Sequence, residues 1–492
     1  MRPILRKLLI ALAILVVILG GFAFYIFRGN PSDRPIDATV GSDPVLVEPE
    51  PRRVPSFSLA ETVGWEEVET PKAAPGLRVT RFAQGLAHPR TMLTLPNGDV
   101  LVAETNSPPR DVSGFKGLFM KLFMSKVDAS GGSANTIVLL RDADGDGSAE
   151  QRFDFRKADM DSPSGMAWGD GKLYIANHNA VLEFAFEPGP TTLTGSPKKL
   201  MDLPAGGDHW MRNLLLSEDG KQLYVAVGSA TNIADDGMEA EQGRAAIWEI
   251  DTDTGRRRQY AAGMRNPNGL GWNPSTGEMW AAVQERDMLG PDLVPDYLTN
   301  VPVGAQYGWP WVYWKDQFDE RVEWPMETYM LEYTRKPEYA MGAHTAVLGM
   351  VFAGAGNRMG EGFANGAFIA RHGSWNRKPP VGYDVVFVPF DANGNPAGKA
   401  RTVLGGFLIE PGKTHGRPTW LAWDKTGALL VSDDTAGVIW RVEAPGAAPS
   451  EGPAAVETGH MEPLEEIRDP TQQRELEAGF SGGADRVLNR DR

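Results

Sequence analysis

The chain has 492 residues and a formal net charge of −15, and it contains no cysteine. The acidic balance argues against a nucleic-acid-binding protein, because contact with phosphates requires a basic surface. The absence of cysteine excludes disulfide frameworks, zinc–thiolate sites, iron–sulfur clusters and thiol catalysis. The 56 glycines and 37 prolines indicate many tight turns rather than long helices.

The N-terminal region predicts a membrane anchor. Arg2, Arg6 and Lys7 precede an uncharged apolar run over 8–27, which as a helix is long enough to cross ~30 Å of hydrocarbon. We expect 1–28 to form a cytoplasmic flank and one transmembrane signal-anchor helix in the inner (cytoplasmic) membrane, because basic flanks stay cytoplasmic. The remainder would then face the periplasm or exterior. The alternative, a cleaved signal peptide, also places the globular part outside the cytoplasm.

Composition divides the rest of the chain into parts. Residues 29–75 are rich in Pro and acidic groups and predict an extended linker. Residues 446–492 run through Ala, Pro and Gly into a charged, poorly periodic sequence that predicts a disordered tail. The fold is expected within 76–445. Inside it, apolar residues at helical spacing over 114–126 predict a helix, either packed on the rim or acting as a lid or membrane contact.

The middle segment contains six copies of one unit, which consists of an apolar strand, a turn with glycine, and a second strand that ends in polar residues. The turn glycines are Gly98, Gly171, Gly220, Gly277, Gly366 and Gly427. Asn-Gly or Asp-Gly stands in four of these six turns, as is typical of β-hairpins. The repeat predicts an all-β fold, a six-bladed β-propeller. A two-sheet sandwich is the alternative, and it explains the strands but not six copies of one unit.

Histidines and arginines occur at the ends of these hairpins, where a propeller has its central funnel. Six of the seven histidines lie there: His88, His178, His209, His344, His372 and His415. The arginines are Arg90, Arg212, Arg265, Arg286, Arg371, Arg377 and Arg417. A cationic funnel in an acidic protein indicates a carboxylate-bearing ligand, because Arg pairs with carboxylates and His can accept a proton near neutral pH. The alternative for any one of these residues is that it caps a strand or bridges two blades.

The end of the fourth copy is a candidate cation site. Gln284, Glu285 and Asp287 offer oxygen ligands to a hard cation such as Ca²⁺. Alternatively, the two carboxylates form ion pairs with Arg286 or Arg265.

A second acidic segment spans 142–150. Asp142, Asp144 and Asp146 match the first half of a Ca²⁺ loop, but Phe153 stands where an EF-hand needs a glutamate. The segment is therefore either a structural Ca²⁺ site or a plain acidic turn at the tip of a hairpin.

Several long motifs carry a family resemblance. They are DHWMRNLLLSEDGKQLYVAVGS from Asp208, GMRNPNGLGWNPSTGEMW from Gly263, QYGWPW from Gln306, RHGSWNRKPPVGYDVVFVPF from Arg371 and GRPTWLAWDKTGALLVSDD from Gly416. At these motifs the sequence resembles the glucose/sorbosone dehydrogenase family that depends on pyrroloquinoline quinone (PQQ), and within it the sorbosone-type members. The resemblance spans about 76–443.

The resemblance implies a six-bladed propeller with PQQ across the funnel and Ca²⁺ beside the quinone. It assigns His209 as the base and Asp208 as the residue that orients the His209 ring. Arg212 and Arg265 would lie near the quinone. Asn266 would help to position it, and Arg417 would hold a carboxylate of the cofactor.

The sequence departs from the glucose-oxidising members at the cation site and at the lysine that holds PQQ. Glu285-Arg286 align with the Gly-Pro turn that binds Ca²⁺ in those enzymes, whereas Gly290-Pro291 follow slightly later, so both pairs are candidates. The candidates to replace the lysine are Arg371, His372 and Arg377. The remaining candidate cofactor contacts are Gln284 and Arg286.

The resemblance therefore implies the oxidation of a sugar or a sugar-like alcohol or aldehyde, of sorbosone or aldose type. His209 would take a proton while a hydride moves to the quinone, and the electrons would pass to a membrane quinone or a cytochrome. The alternatives are a Ca²⁺-dependent lactonase-type propeller hydrolase and a non-catalytic binding propeller. No nucleic-acid partner is expected.

Overall fold

Strands dominate the structure, a computed structural model that describes residues 3–52, 54–108, 133–323, 326 and 330–456. The predicted helix over 114–126 and most of the predicted tail lie outside these residues. One long helix, Pro3–Phe27, is long and apolar enough to cross a membrane. The short helices are Ile36–Thr39 and Glu361–Phe363, both 3₁₀, and the α-helix Met330–Tyr333.

Six antiparallel sheets, here named A to F, follow one another along the described chain. Within each sheet, the strands below are given in the order in which they pair, from the first strand to the outermost strand. Sheet A contains Pro89–Thr94, Val100–Glu104, Thr136–Arg141 and Gln151–Arg156. Sheet B contains Gly165–Gly169, Lys172–Ala176, Ala180–Ala185 and Lys198–Asp202. Sheet C contains Leu214–Leu216, Gln222–Val227, Ala246–Asp251 and Arg257–Ala262.

The other three sheets recruit strands from the N-terminal part of the chain. Sheet D contains Asn266–Trp272, Met279–Gln284, Pro295–Asn300, Tyr339–Ala343 and Val40–Gly41. Sheet E contains Val347–Phe352, Gly366–Arg371, Asp384–Pro389, Arg401–Gly405 and Lys72–Ala73. Sheet F contains Pro418–Trp423, Leu429–Asp433, Val438–Glu443 and Arg78–Gln84.

The first strands of the six sheets form a ring, because each contacts the first strand of the next sheet and the first strand of sheet F contacts that of sheet A. The hydrophobic core is divided accordingly into six clusters, one between each pair of neighbouring sheets. Alternate side chains of a strand point to opposite faces of its sheet, so each sheet contributes to two clusters.

The segment 29–75, predicted as a linker, lies along the sheets. Besides the outer strands that it adds to sheets D and E, Asn30–Pro31 pairs with Arg377–Lys378 and Glu61–Thr62 pairs with Lys413–Thr414. Extended, proline-containing backbone suits an edge strand, where one side of the strand needs no partner. The remaining short strands are Val312–Tyr313 with Gln317–Phe318, and Leu408–Glu410 with Lys413–Thr414.

Candidate active site

One edge of the sheets carries the candidate chemistry. Strands alternate in direction, so the residues before the first strand and after the second strand of each sheet lie at the same edge. We call the loops at this edge the mouth face. They include the loops between the second and third strands and the loops that join consecutive sheets. Most of the histidines and arginines singled out in the sequence belong to it.

Asp434, which follows the second strand of sheet F, binds one side chain from each of two other sheets. Arg90 at the start of sheet A forms an ion pair with it, and His372 of sheet E places Nε2 3.1 Å from both carboxylate oxygens. Burial opposes ionisation of Asp434, but the charges of His372 and Arg90 outweigh it and hold the pKa of this carboxyl well below its usual range. Burial, together with the charges of Arg417 and Arg90, lowers the pKa of His372 despite the contact with Asp434.

The loop before sheet C reaches over the ends of other sheets. Trp210 and Met211 pack against Leu348 and Trp420 on the first strands of sheets E and F. The Nε atom of Arg90 lies 3.3 Å from the Met211 sulfur, and its guanidinium lies over the Trp210 ring, 5.6 Å from the centroid. Sheets A, C, E and F therefore meet at one place.

Arg417, at the start of sheet F, retains unused hydrogen-bonding capacity. Its guanidinium lies over the Tyr383 ring, and Nη2 is 3.5 Å from the Tyr383 hydroxyl. Its buried Nε has no partner among the described residues. An unsatisfied buried cationic donor is costly, so Arg417 is well placed to bind an anionic ligand.

A second group surrounds Asp287, which follows the second strand of sheet D. His344 Nδ1 lies 3.0 Å from one carboxylate oxygen, Arg265 Nη2 lies 3.3 Å from the other, and Asn376 Nδ2 lies 3.4 Å away. Burial opposes ionisation, but the His344 hydrogen bond and the charges of Arg265, His344 and His209 lower the pKa of Asp287. Although burial opposes its charge too, His344 has a raised pKa because of Asp287.

His209 is held through its Nδ1 atom. The carbonyl oxygen of Ser229 lies 2.9 Å from Nδ1, and the Ser229 hydroxyl, which donates to the Thr231 carbonyl, lies 3.1 Å from it. Both neighbours of Nδ1 act as acceptors, so Nδ1 carries the proton and Nε2 carries the lone pair in the neutral ring. This is the tautomer that a general base requires.

The ring-orienting partner at Nδ1 is Ser229, a residue that the sequence analysis missed. Asp208 was predicted for this role; its side chain is exposed and its backbone N–H donates to the Ala230 carbonyl at 2.7 Å. Ser229 stands after the second strand of sheet C, a position equivalent to those of the other mouth-face residues, and this equivalence is the signal that could have identified it.

Asn266 lies beside His209. A Cβ atom on Gly228 would meet the Asn266 Oδ1 at 2.2 Å and the His209 Cβ at 2.7 Å, so both side chains share the space that this glycine leaves. Asn266 donates to Gln284 Oε1 at 2.9 Å, and Gln284 donates to the Val347 carbonyl at 3.0 Å. The structure thus brings His209, Asn266 and Gln284 into one neighbourhood across sheets C and D.

Four of the predicted cofactor contacts have guanidinium groups occupied by the protein itself. The two terminal nitrogens of Arg212 donate to the carbonyls of Pro204, His209 and Met211, whereas its buried Nε has no partner among the described residues, and burial lowers its pKa to about 9. Arg371 binds both carboxylate oxygens of Asp384, at 2.7 and 2.6 Å.

The other two arginines are also buried among acceptors. Arg286 pairs with Glu285 and Asp319, and Arg377 pairs with Asp292. These contacts favour a role in holding the loops of the mouth face over direct contact with a ligand.

The predicted cation ligands near sheet D are likewise engaged. Glu285 Oε2 accepts from Arg286, the Gly290 carbonyl lies 2.9 Å from His344 Nε2, and the Pro291 carbonyl accepts from Arg377. These oxygens already accept from cationic or N–H donors.

The acidic turn 142–150 has carboxylate oxygens close enough to one another to hold a metal ion. In the described parts of the chain, Asp142, Asp144, Asp146 and Glu150 are the one acidic or histidine cluster whose ligand atoms all lie within 4.8 Å of one another. The turn joins the third and fourth strands of sheet A, so it lies at the edge opposite the mouth face.

Two histidines point elsewhere. His178 lies 3.0 Å from Asp161 within the loops of sheet B, and His415 stacks on Trp65 at 4.3 Å and contacts the Gly64 carbonyl. For these two, the expectation that all six hairpin histidines meet at one place stays a prediction.

The family assignment agrees with this geometry. The chain matches the TrAA12-like family model over residues 130–296 and 315–445. It is 28% identical over 298 residues to an uncharacterized protein of Borreliella burgdorferi, which covers 58% of this chain and 76% of that protein. It is 34% identical over 125 residues to a PQQ-dependent pyranose dehydrogenase of Coprinopsis cinerea, which covers 22% of this chain and only 16% of the relative.

Solved structures show the same fold. The calcium structure of the Trichoderma reesei enzyme of carbohydrate-active family AA12 superposes with a TM-score of 0.62 and 20% identity, covering 79% of this chain and 99% of that one. The holo PQQ domain of the C. cinerea pyranose dehydrogenase gives a TM-score of 0.59 at 20% identity, covering 78% and 100%. The predicted kinship with the PQQ-dependent sugar dehydrogenases is thereby confirmed, and the chain belongs to the TrAA12-like family.

Proposed function

We propose that this protein is a PQQ-dependent dehydrogenase whose six sheets are the blades of a propeller. It oxidises a sugar or a sugar-like alcohol or aldehyde, of sorbosone or aldose type, at the mouth face. The observation that supports this most is the convergence of Arg90, His372 and Arg417 around Asp434. Arg90 also contacts Trp210 and Met211, which directly follow His209, a histidine whose tautomer suits a base. The TrAA12-like family assignment supports it independently.

The residues of the mouth face fit a carboxylate-bearing cofactor. Arg417 Nε is a buried donor that has no partner among the residues the structure describes. Arg90 and Arg417 both act on His372 there, and a cation buried in low dielectric attracts an anion strongly. We assign Arg417 and Arg90 to the cofactor carboxylates, with His372 and Asp434 holding Arg90 in place.

PQQ, when bound, supplies an electrophilic quinone that accepts a hydride. His209 Nε2 accepts the proton of the substrate hydroxyl, or of a hydrated aldehyde, while Ser229 keeps the opposite ring nitrogen protonated. Arg265 is fixed by the Glu285 carbonyl at 2.8 Å and by Asn232 Oδ1 at 3.0 Å, and it contributes positive charge beside His209. Preorganised charge of this kind lowers a barrier without reorganisation during the reaction.

The side chains and carbonyls near sheet D do not fit a calcium ion, because Glu285, Gly290 and Pro291 are occupied by other donors. Our mechanism therefore has no step at Ca²⁺. Calcium at the turn 142–150 stays a prediction, and a structural one, since that turn lies at the opposite edge.

We propose that helix Pro3–Phe27 anchors the protein in the inner membrane with the sheets in the periplasm or exterior. Its length and apolar composition support this placement. Electrons would leave PQQ for a membrane quinone or a cytochrome.

The proposed function is tested by reconstitution. The full chain in detergent is titrated with PQQ, with and without Ca²⁺, and dye reduction is measured with aldoses and with sorbosone. Saturable PQQ binding with sugar-dependent dye reduction is the expected result. Lactone hydrolysis without PQQ would instead support the hydrolase alternative, and ligand binding without turnover would support a binding propeller.

A further inference from the structure

The end of helix Pro3–Phe27 is bonded directly to the sheet domain. The Ile26 carbonyl accepts from the Phe57 backbone at 2.6 Å, and the Tyr25 carbonyl accepts from the Ser56 hydroxyl at 2.9 Å. Ile26 is buried, whereas the helix up to Phe24 is exposed on all sides. Among the described residues, the helix contacts the domain only through its last turn, and the rest of it projects away from the domain.

The residues that follow the helix are fixed to the mouth face. Asn30 donates to the Asn376 carbonyl and Ser32 to the Lys378 carbonyl, both at 2.8 Å. Arg377 in turn donates to the Ser32 hydroxyl at 3.1 Å. No free spacer thus separates the membrane-spanning length of helix from the domain.

The loop that contacts the segment after the helix also contains residues of the candidate active site. This loop, 372–383, joins the second and third strands of sheet E. His372 at its start contacts Asp434, and Asn376 contacts Asp287. Between them, Trp375 packs on Phe57 at 5.4 Å and accepts from the Ser58 backbone at 2.7 Å.

We propose that the mouth face lies against the membrane surface, so that the active site opens toward the lipid headgroups. This inference rests on the membrane anchoring proposed above. A charged domain cannot enter hydrocarbon, whereas the apolar helix is stable there. The face from which the helix leaves, without slack, must then be the face nearest to the bilayer.

Exposed aliphatic side chains on the same face support this orientation. Val63 is 56% exposed and Ile409 is 46% exposed, and both belong to segments that meet at the mouth face, where Glu61–Thr62 pairs with Lys413–Thr414. Apolar side chains beside a membrane anchor gain free energy by entering the headgroup region. Substrate and electron acceptor would therefore reach the site along the membrane surface.

The absence of cysteine allows a direct test. In the full chain, Ile409→Cys and Val63→Cys are each labelled with a bimane probe and reconstituted into nanodiscs that contain a spin-labelled phospholipid. The matched control is Glu218→Cys, in an exposed turn between the first two strands of sheet C at the opposite edge. Strands of this length, about 20 Å at ~3.3 Å per residue, separate the two edges.

We expect quenching at 409 and 63 to exceed quenching at 218 several-fold, with each variant retaining the wild-type melting temperature. Equal quenching at all three positions in nanodisc-bound protein would overturn the orientation while leaving the anchor intact. Failure of the full chain to associate with nanodiscs would overturn the anchoring and, with it, the orientation. Neither readout requires PQQ or turnover, so the result is separate from the test of the dehydrogenase activity.

Discussion

At the scale of single residues, the arginines of the mouth face differ in how far the protein satisfies them. Arg371 binds both carboxylate oxygens of Asp384. Arg417 has one marginal contact and a buried Nε without a partner among the described residues. A guanidinium that the protein already satisfies stabilises a loop, whereas one that it leaves unsatisfied can bind a ligand.

Replacement of Arg417 by alanine should therefore weaken PQQ binding, while replacement of Arg371 should weaken the fold. We expect Arg417→Ala to raise the PQQ dissociation constant by at least about tenfold, since a hydrogen bond to a charged group contributes ~1.5–3 kcal/mol. Arg371→Ala should cost about 3–5 kcal/mol of folding free energy, because it leaves Asp384 buried and unpaired. PQQ titration and thermal melting of both variants measure this difference, and equal PQQ affinities would contradict it.

His209→Ala should abolish sugar-dependent dye reduction and spare PQQ binding. Loss of a general base reduces turnover by about 10²–10⁴-fold. Ser229→Ala, which removes the hydroxyl beside Nδ1 and keeps the carbonyl, should reduce kcat less. His415→Ala is the control, since the contacts of His415 are with Trp65, the Gly64 carbonyl and Glu69 rather than with Asp287 or Asp434. Retained turnover in His209→Ala would remove the residue from the mechanism.

The buried His372 should make stability depend on pH. Its pKa is lowered in the folded state, by burial first and then by Arg417 and Arg90, whereas an unfolded histidine titrates near ~6.5. The contribution of neutral His372 is thus complete above about pH 6.5 and is lost as the pH falls through the lower folded pKa. Between pH 7 and 5, the melting temperature of the wild type should fall more steeply than that of His372→Gln. If the melting temperatures of the two proteins fell in parallel with pH, unfolding would not increase the proton affinity of His372, and the prediction would be wrong.

At the scale of elements, glycine permits the close approach of first strands. A Cβ atom on Gly349 of sheet E would lie 2.7 Å from the Trp420 Cα and 2.8 Å from the Leu421 nitrogen of sheet F. Gly269 of sheet D and Gly165 of sheet B face backbone atoms of their neighbours at 2.5 Å and 2.2 Å. The glycines that open the repeated Gly-Leu or Gly-Met dipeptides are thus needed for packing in the ring.

Gly349→Ala should consequently destabilise the protein by about 1–3 kcal/mol or more, because rigid backbone cannot move away from the added methyl group. Gly354→Ala is the matched control in the turn that follows the same strand, since its Cβ would meet nothing within 4 Å and its φ is not positive. This control should be neutral or slightly stabilising through loss of unfolded-state entropy. Chemical denaturation of both variants provides the comparison, and equal stabilities would refute the packing argument.

At the scale of the whole molecule, the chain closes its ring with a strand from the other end of the fold. Arg78–Gln84 is the outermost strand of sheet F, whose other strands come from 418–443. Phe82 on this strand is 4% exposed and packs between sheets F and A, beside Met92 and Ile439. The strand therefore links the first and the last sheets.

Phe82→Ala should cost about 3–5 kcal/mol by leaving a cavity at this junction. Arg78→Ala, on the same strand, removes only an ion pair between Glu443 and a largely exposed Arg78, and such pairs contribute about 0–1 kcal/mol. Unfolding followed by Trp fluorescence should separate the two variants clearly. Similar midpoints would mean that the closing strand contributes little.

The amino-acid sequence alone determined the all-β repeat and the positions of its hairpins, because glycine turns and alternating apolar residues act over a few neighbouring positions. It also located His209, Arg265 and Arg417 at hairpin ends. Only the tertiary structure decided which arginine and histidine side chains can still bind a ligand and which are already hydrogen-bonded within the protein. Arg90 and Asp434 are separated by 344 positions and Ser229 acts on a ring twenty positions away, and no local pattern encodes such pairs.

The course of 29–75 along the mouth face and the outer edges of sheets D and E was likewise decided by tertiary structure. Its proline-rich composition predicts extended backbone but not the surface on which that backbone lies. That choice depends on unpaired edges and loops offered by sheets D, E and F, which exist only once the distant strands have come together.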